Sequence, residues 1–212
     1  MVAIKPGGGP VPYGRGMLKL YYVPKTRSTR ARWALEELGL PYELVRLDPT
    51  KGETKTPEHR ARHPLHHVPV LETERGPVFE SATICLHLAT GSSLLPDDGS
   101  HDRALVMQWI FFGITELEPL LGKYAGELRK PERDQGRVDA MARKLRGPLE
   151  VLEAELTGRD WLVGQRFTVA DLIVGALLVW AHSLRLLADL PHLRALVDRL
   201  RDRPAFKRAM AD

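Results

Sequence analysis

The segment HHVPVLET, residues 66–73, has a proline between two valines at the start of a run that is typical of a β-strand. A residue before proline favours extended geometry, and proline cannot donate a ladder hydrogen bond, so a sheet tolerates it at the first residue of a strand. Pro69 therefore predicts a strand that starts here. A cis bond before it would turn the backbone groups of Val68 outward, where an extended peptide can pair with them.

A Glu-Ser pair follows the next short run. VPVLET and PVFE are separated by ERG, which is typical of a hairpin, and SATICLHLAT then predicts a helix that starts at Ser81. We predict Ser81 as its N-cap, beside free N–H groups that bind carboxylates, and Glu80 as a negative charge for an ammonium group. These features together predict a site for an extended ligand with a free α-amino acid end. Each alone also has a plain structural interpretation, as a turn or a helix cap.

The remaining patterns predict two unlike halves. LKLYYV predicts a strand, STRARWALEELG a helix with apolar residues at every third or fourth position, and PYELVRLD a second strand, followed by an irregular connection over 49–64. Helices are predicted at 101–128, 133–157, 168–187 and 190–202. The predicted organisation is therefore an α/β domain followed by an all-α domain. Its boundaries are a disordered tail at 1–16, with Met17 as the functional start, an α/β domain at 17–91, a linker at 92–100 and helices at 101–212.

The helix at 168 has a strong start signal. Thr168 and Asp171 form a T-x-x-D pattern, a version of the capping box with a shorter acid. The run DLIVGALLVWA that follows is apolar on nearly every side, so a buried helix with a firmly fixed register is expected. We assign Asp171 to folding and give it no catalytic role.

Composition excludes several classes of protein. The net charge is +4, with Lys and Arg interleaved with Asp and Glu, so no nucleic-acid surface is predicted. The single cysteine, Cys85, rules out an internal disulfide and suits a reducing, cytoplasmic location, where it is expected as a small core residue. No apolar run has the length to cross a bilayer and residues 1–16 have no secretory h-region, so no membrane partner is predicted.

The sequence resembles the glutathione S-transferase superfamily, in its bacterial, theta- and beta-like cytosolic form. The residues that carry the resemblance are LKLYYVPKTRSTRARWALEELGLPYELV, HPLHHVPVLETERGPVFESATICLHL and FTVADLIVGALLVW, within about residues 17–205. The resemblance implies a thioredoxin-like N-terminal domain with a cis-proline at Pro69 and a glutathione site, and an all-α C-terminal domain. It also implies a homodimer and a hydrophobic pocket for an electrophilic co-substrate, with glutathione as co-substrate and no further cofactor.

In this family a Tyr, Ser or Cys near the first strand and helix holds glutathione as a thiolate. A model thiol has a pKa of about 8.5, and lowering it by about two units needs roughly 2.7 kcal/mol. One charge-assisted hydrogen bond from a hydroxyl supplies about 1.5–3 kcal/mol. A gapless alignment puts the theta-like serine on Thr26 and the beta-like cysteine on Arg27. Ser28, at the helix start, is preferred to Thr26 as the catalytic hydroxyl, and Tyr22 is a further glutathione-binding candidate.

The family pattern N-P-x-G-K-V-P is H-P-L-H-H-V-P here. His67 takes the lysine position, where it can pair with the glycine carboxylate of glutathione with a charge that depends on pH. The histidines at 63, 66 and 67 have no Cys or acidic partners at ligand spacing, so no metal site is predicted. The expected activity is conjugation of the glutathione thiolate to an apolar electrophile. A glutathione-binding carrier, a glutathione-dependent peroxidase or reductase, and a non-catalytic interaction protein are the alternatives.

Overall fold

A four-stranded mixed sheet forms the centre of the first half of the described chain. The computed structural model describes residues 17–211, so the predicted tail at 1–16 lies outside the described residues. The strands are β1 (Leu18–Tyr22), β2 (Tyr42–Arg46), β3 (Val70–Thr73) and β4 (Gly76–Phe79). Their order is β2-β1-β3-β4, with β2 parallel and β3 antiparallel to β1, and with β4 antiparallel to β3. This mixed sheet confirms the thioredoxin-like N-terminal domain that the resemblance implies.

Pro69 lies just outside the ladder of this sheet. The first paired residue of β3 is Val70, which lies opposite Tyr21 on one side and Phe79 on the other. The Val68–Pro69 peptide bond is cis, as the resemblance implies. The strand therefore begins one residue after the proline, where the missing N–H costs no ladder hydrogen bond.

Two helices, α1 (Ser28–Leu38) and α3 (Ser81–Ala89), pack against each other next to the sheet. Ala31, Ala34 and Leu35 are buried on α1, in agreement with the predicted apolar face, and Gly39 ends the helix at φ +62°. Such a left-handed C-terminal position favours glycine. Cys85 is fully buried on α3 with its Sγ 3.5 Å from the Arg30 carbonyl oxygen, and burial raises its pKa to about 12. This confirms its prediction as a core residue.

The prediction of an irregular connection at 49–64 is wrong in part. Two short 3-10 turns (Pro49–Lys51 and Glu53–Lys55) precede a helix, α2 (Pro57–Arg62). The Thr56 side chain accepts a hydrogen bond from the His59 N–H at 3.2 Å, and Pro57 occupies the first turn. A threonine cap followed by proline is a helix-start signal. The prolines of the segment suggest an irregular connection, but Pro57 lies in the first turn of α2, where a helix tolerates proline.

The second half of the described chain is helical. Its elements are α4 (His101–Phe112), a π-helical turn (Gly113–Leu117), α5 (Glu118–Leu128), α6 (Gln135–Glu155), α7 (Val169–Ser183), α8 (Pro191–Asp202) and α9 (Pro204–Ala209). The all-α prediction is confirmed, with α9 as an addition that the sequence patterns did not reveal. Residues 17–95 with 208–211 form one compact unit, and 96–207 form the other.

The α7 helix lies at the centre of the second unit. Ten of its residues are buried, and at Gly175 an added Cβ would lie 2.3 Å from Leu200 Cδ1 of α8, so a larger residue there would require the Leu200 side chain to move. The predicted capping box at Thr168 and Asp171 is present. Asp171 does more than cap the helix, because its Oδ1 also accepts a hydrogen bond from the Leu162 N–H at 2.8 Å. It therefore joins the preceding loop to the start of the core helix.

One helix corrects the prediction that no segment is long enough to cross a bilayer. The continuous stretch His101–Leu128 contains an 18-residue window with a mean hydropathy of 1.3, which qualifies by length and composition. These criteria do not distinguish a membrane span from a core helix of a globular unit. In the structure Val106, Trp109 and Ile110 are buried, and α4 packs against α7.

Candidate functional site

A cleft of about 380 Å³ lies where the chain enters α1, β3 and α3. The set of residues that line it comes from these three places and from the connection after β2: Val23, Thr26, Arg27, Pro49, Thr54, His63, His66, His67, Val68, Pro69, Glu80 and Ser81. Six of the eight sequence-predicted site residues are in this set. The exceptions are Tyr22 and Ser28.

The turn between β1 and α1 forms one wall of the cleft. Thr26 is exposed there. Its hydroxyl donates a hydrogen bond to the Val23 carbonyl oxygen at 2.7 Å, and its Oγ1 lies 2.9 Å from Ser28 Oγ. Thr26 Oγ1 also accepts a hydrogen bond from the Ser28 N–H at 3.2 Å. This small network fixes the threonine hydroxyl at the cleft surface, immediately before the helix.

The two other candidates at this end lie in the interior. Ser28 is fully buried, and its Oγ accepts a hydrogen bond from the Val23 N–H at 3.4 Å. It is the first residue of α1, whereas the N-cap is Arg27, which has no side-chain capping bond. Tyr22 is 1% exposed, with the Arg32 guanidinium 5.5 Å from the centre of its ring. Ser28 can therefore contact Thr26 but does not line the cleft, and Tyr22 belongs to the core.

The Glu80–Ser81 pair also lines the cleft. The N-cap of α3 is Glu80, at φ +69° and ψ 115°, so the prediction of Ser81 as the N-cap is wrong by one residue. The reason is that the chain turns at Glu80, which leaves Ser81 already in helical geometry. Ser81 is 5% exposed, and its Oγ accepts a hydrogen bond from Arg30 Nη1 at 3.4 Å. Glu80 is exposed, so its carboxylate is accessible from the cleft.

Three histidines also line the cleft: His63, His66 and His67. The ring of His63 is buried, lies 5.3 Å from the ring of His67 and 4.7 Å from that of Phe79, and accepts the Leu65 N–H at Nδ1. Burial lowers the pKa of His63, the neighbouring His67 lowers it further, and the Glu80 carboxylate opposes the shift. His67 is exposed. The cluster therefore combines one interior imidazole with one that faces water.

A fourth histidine, which sequence reasoning did not single out, fixes this loop. His59 on α2 is 1% exposed, and its Nε2 lies 2.9 Å from the His67 carbonyl oxygen. A carbonyl oxygen only accepts, so Nε2 carries the proton in this bond. Among residues 17–211, no group of three or more His, Cys, Asp or Glu side chains is arranged to hold a metal ion.

The charged groups of the cleft are few. Arg27 and Glu80 bring side chains of opposite charge to the cleft, and three histidines also line it. Arg27 was not predicted as a site residue, although its position directly after Thr26 and before a helix start was the available signal. Such a cleft can bind a small zwitterionic or anionic peptide. It contains no cysteine, because the one cysteine of the chain is buried on α3.

Comparison with known proteins identifies the family. The family model for the glutathione S-transferase N-terminal domain matches residues 16–90, and that for the C-terminal domain matches residues 103–204. Together these cover more than half of the chain, with the cleft inside the first. The chain belongs to the glutathione S-transferase family.

Proteins of three kinds are similar to this chain in sequence: a transferase, an oxidoreductase and an elongation factor. Glutathione S-transferase 1 of Zea mays is 33% identical over 205 residues, which cover 92% of this chain and 96% of the relative. The disulfide-bond oxidoreductase YfcG of Escherichia coli is 26% identical, with coverage of 92% and 94%. Elongation factor 1-gamma 1 of Oryza sativa is 30% identical over 86% of this chain but only 46% of its own length.

Solved structures confirm the fold. A glutathione S-transferase-I bound with lactoylglutathione superimposes with a TM-score of 0.80 at 31% identity, covering 92% of this chain and 99% of that one. The two-domain fold with a thioredoxin-like first half and an all-α second half is therefore shared with a transferase that binds a glutathione derivative.

Proposed function

We propose that this protein is a glutathione transferase that conjugates the glutathione thiolate to an apolar electrophile. The single observation that carries the proposal is the convergence of the Thr26 hydroxyl, the Val68–Pro69 segment and the Glu80–Ser81 pair on one cleft. An extended tripeptide pairs with the Val68 backbone, its ammonium faces Glu80, and its γ-glutamyl carboxylate faces Ser81 and the first N–H groups of α3.

In this proposal Thr26 replaces Ser28 as the hydroxyl that stabilises the thiolate. Thr26 lines the cleft, whereas Ser28 is fully buried behind it. The 2.9 Å separation of the two hydroxyl oxygens gives Ser28 a positioning role. Thr26 has one hydroxyl proton, which it donates to the Val23 carbonyl oxygen at 2.7 Å. This hydroxyl therefore has to rotate toward the sulfur when glutathione binds, with Ser28 Oγ then donating to Thr26 Oγ1. Arg27, at the next position, adds a positive field that favours the thiolate over the thiol.

The catalytic role follows from the thiolate, since the thiolate and not the thiol is the nucleophile. The sulfur forms a bond to the electrophilic atom, the leaving group departs with its electron pair, and the cleft contributes orientation and the hydrogen bond to sulfur. The hydroxyl proton stays on Thr26 throughout. The electrophile in this proposal is an apolar small molecule, in keeping with the transferase names among the relatives.

The test is an ultraviolet titration of the bound glutathione thiolate between about pH 5 and 9. We expect the thiol pKa to fall by about one to two units on binding, because one charge-assisted hydrogen bond to sulfur stabilises the charged form. Binding with an ordinary thiol pKa would contradict the transferase proposal and leave a glutathione-binding carrier. Absence of binding would favour a non-catalytic interaction protein, as the likeness to elongation factor 1-gamma suggests.

A glutathione-dependent peroxidase or reductase is a second candidate, favoured by the likeness to a disulfide-bond oxidoreductase. The position of the one cysteine determines which thiol can react in a peroxidase or reductase reaction. Cys85 is the one cysteine, it is fully buried, and burial raises its pKa to about 12. The glutathione thiol, and not a protein thiol, would therefore attack the disulfide or peroxide. A reductase would form glutathione disulfide as product, which separates it from a transferase in the same assay.

We further propose that the active protein is a homodimer. Two large apolar side chains beside the histidine cluster support this: Leu65 is 67% exposed and Phe79 is 39% exposed. Exposed apolar groups of this kind are often covered by a partner. Sedimentation equilibrium is expected to give a mass of about twice the 23.8 kDa of the chain. A single species at the monomer mass would contradict this proposal.

A further inference from the structure

Arg30 places a positive charge in the interior of the first unit, next to a residue that lines the cleft. It is in the first turn of α1 and is 5% exposed. Its Nη1 lies 3.4 Å from Ser81 Oγ, and Ser81 lines the cleft whereas Arg30 does not. Burying a charge is costly unless other groups interact with it favourably. The contact with Ser81 therefore links a buried guanidinium to the ligand-facing surface.

Two contacts hold Arg30 against one face of α3. The guanidinium donates to Ser81 at the first residue of that helix, and the Arg30 carbonyl oxygen lies 3.5 Å from Cys85 Sγ, one turn later. Residues four positions apart lie on the same face of a helix. Burial raises the pKa of Cys85 to about 12, and the charge of Arg30 opposes that shift. The backbone and the guanidinium of Arg30 are thus both fixed relative to the first turns of α3.

The direction of the hydrogen bond leaves the Ser81 hydroxyl proton available. A guanidinium contains only donors, so Ser81 Oγ accepts from Arg30 and does not use its own proton in this contact. An ionised carboxylate contains only acceptors, so it is the complementary partner for that proton. Hydrogen bonds in a chain polarise one another, so a hydroxyl that accepts from a cation donates more strongly. Ser81 is therefore prepared to donate to a carboxylate in the cleft.

We propose that Arg30 is a positioning residue that acts through Ser81 and gives the cleft its selectivity for the α-carboxylate of the γ-glutamyl group. This inference rests on the proposed function, in which that carboxylate faces Ser81 and the first N–H groups of α3. It deepens the function, because it assigns the recognition of one ligand group to a buried side chain that does not line the cleft.

The test compares two ligands by isothermal titration calorimetry at neutral pH. One is S-methylglutathione, and the other is the same tripeptide with 4-aminobutyrate in place of the γ-glutamyl group, which removes only the α-carboxylate. We expect the native protein to prefer the first ligand, and Arg30→Met to lower the ratio of the two affinities about 3- to 10-fold, as the loss of one hydrogen bond allows. The affinity for the second ligand should stay within about 2-fold of native, because it has no carboxylate at this position.

Further variants separate the hydrogen bond from the packing. Arg30→Lys keeps a cation that only donates and should restore most of the ratio. Arg32→Met removes another arginine of α1, whose guanidinium lies 5.5 Å from the centre of the Tyr22 ring, and should keep the native ratio. In a Ser81→Ala background, Arg30→Met should change the ratio by less than about 2-fold, because its route to the ligand is already absent. Arg30→Gln, whose amide oxygen can accept the serine proton, gives the same comparison where Arg30→Met does not fold.

An equal loss of affinity for both ligands in Arg30→Met would show that Arg30 only supports the packing of α1 on α3, and would overturn this inference. An unchanged ratio, or a ratio in Arg30→Lys no higher than in Arg30→Met, would overturn it as well. Absence of S-methylglutathione binding by the native protein would overturn both this inference and the proposed function. Binding of glutathione with an ordinary thiol pKa would overturn the transferase proposal alone, since S-methylglutathione has no thiol.

Discussion

Replacing Asp171 with alanine is expected to lower the free energy of unfolding by about 2–5 kcal/mol, because it orphans two buried backbone N–H groups that each cost about 1–3 kcal/mol. Oδ1 of Asp171 accepts from the Leu162 N–H and Oδ2 from the Thr168 N–H, each at 2.8 Å, and Asp171 is 0% exposed. The loop and the start of α7 lose their common acceptor. Chemical denaturation at pH 7 measures the effect, with circular dichroism as the signal.

The pH dependence of this effect has a defined sign. Burial raises the pKa of Asp171 to about 6 from an ordinary 3.8, while its hydrogen bonds oppose the shift. The folded protein thus binds a proton more tightly than the unfolded chain, and the stability this gives is lost as pH rises from about 4 to about 6. The difference in stability between the native protein and Asp171→Ala should therefore increase as pH falls from 7 to 4.

A matched pair of variants controls for this interpretation. Asp171→Asn keeps one acceptor oxygen and loses the other, so it should fall between the native protein and Asp171→Ala and lose the pH dependence. Asp198→Ala removes an exposed carboxylate from α8 and should change the free energy of unfolding by less than about 0.5 kcal/mol. A difference between native protein and Asp171→Ala that stays constant from pH 4 to 7 would show that the carboxyl titrates normally.

Local chemistry explains which parts of the fold could be predicted. The capping box at Thr168, the glycine that ends α1 and the proline before β3 each depend on a few adjacent residues, and each is present as predicted. The α2 helix is only six residues long and begins in a proline-rich segment, so the length of periodic pattern needed to recognise it was absent. The π-helical turn was not predicted; at its first residue, Gly113, an added Cβ would lie 3.2 Å from Val174 of α7, a contact that no local sequence pattern reveals.

The residues of the cleft also divide into those that the sequence could predict and those that depend on tertiary structure. Val68, Pro69, Glu80 and Ser81 were predicted because their residue types and order along the chain define the ligand-facing elements, and they line one cleft. The choice between Thr26 and Ser28 could not be made in this way. Both are hydroxyl residues two positions apart, and only the turn geometry that buries Ser28 and exposes Thr26 distinguishes them. The fixing of His67 by His59 depends likewise on how α2 packs.

The variant Thr26→Val tests which hydroxyl stabilises the thiolate. Valine keeps the branched shape of threonine but cannot donate a hydrogen bond to sulfur, and it also removes the contacts of Thr26 Oγ1 with the Val23 carbonyl, the Ser28 N–H and Ser28 Oγ. Losing one charge-assisted hydrogen bond of about 1.5–3 kcal/mol should raise the pKa of the bound glutathione thiol by about one to two units. At pH 6.5, kcat/KM with an activated aryl chloride should fall about 10- to 50-fold, because the thiolate fraction falls by about that factor when the thiol pKa returns from about 6.5–7.5 to about 8.5.

The outcome for Ser28→Ala separates the two candidates. If Ser28 only orients Thr26 through their 2.9 Å contact, its loss should raise the thiol pKa by less than half as much as Thr26→Val does. Thr26→Ser, which restores a hydroxyl, should return the thiol pKa and most of kcat/KM, and Thr83→Val, on the exposed surface of α3, should change neither. If Ser28→Ala instead raised the thiol pKa as far as is expected for Thr26→Val, and Thr26→Val left it unchanged, Ser28 would be the hydroxyl that stabilises the thiolate. That result would require the turn between β1 and α1 to open when glutathione binds, since Ser28 is 0% exposed without it.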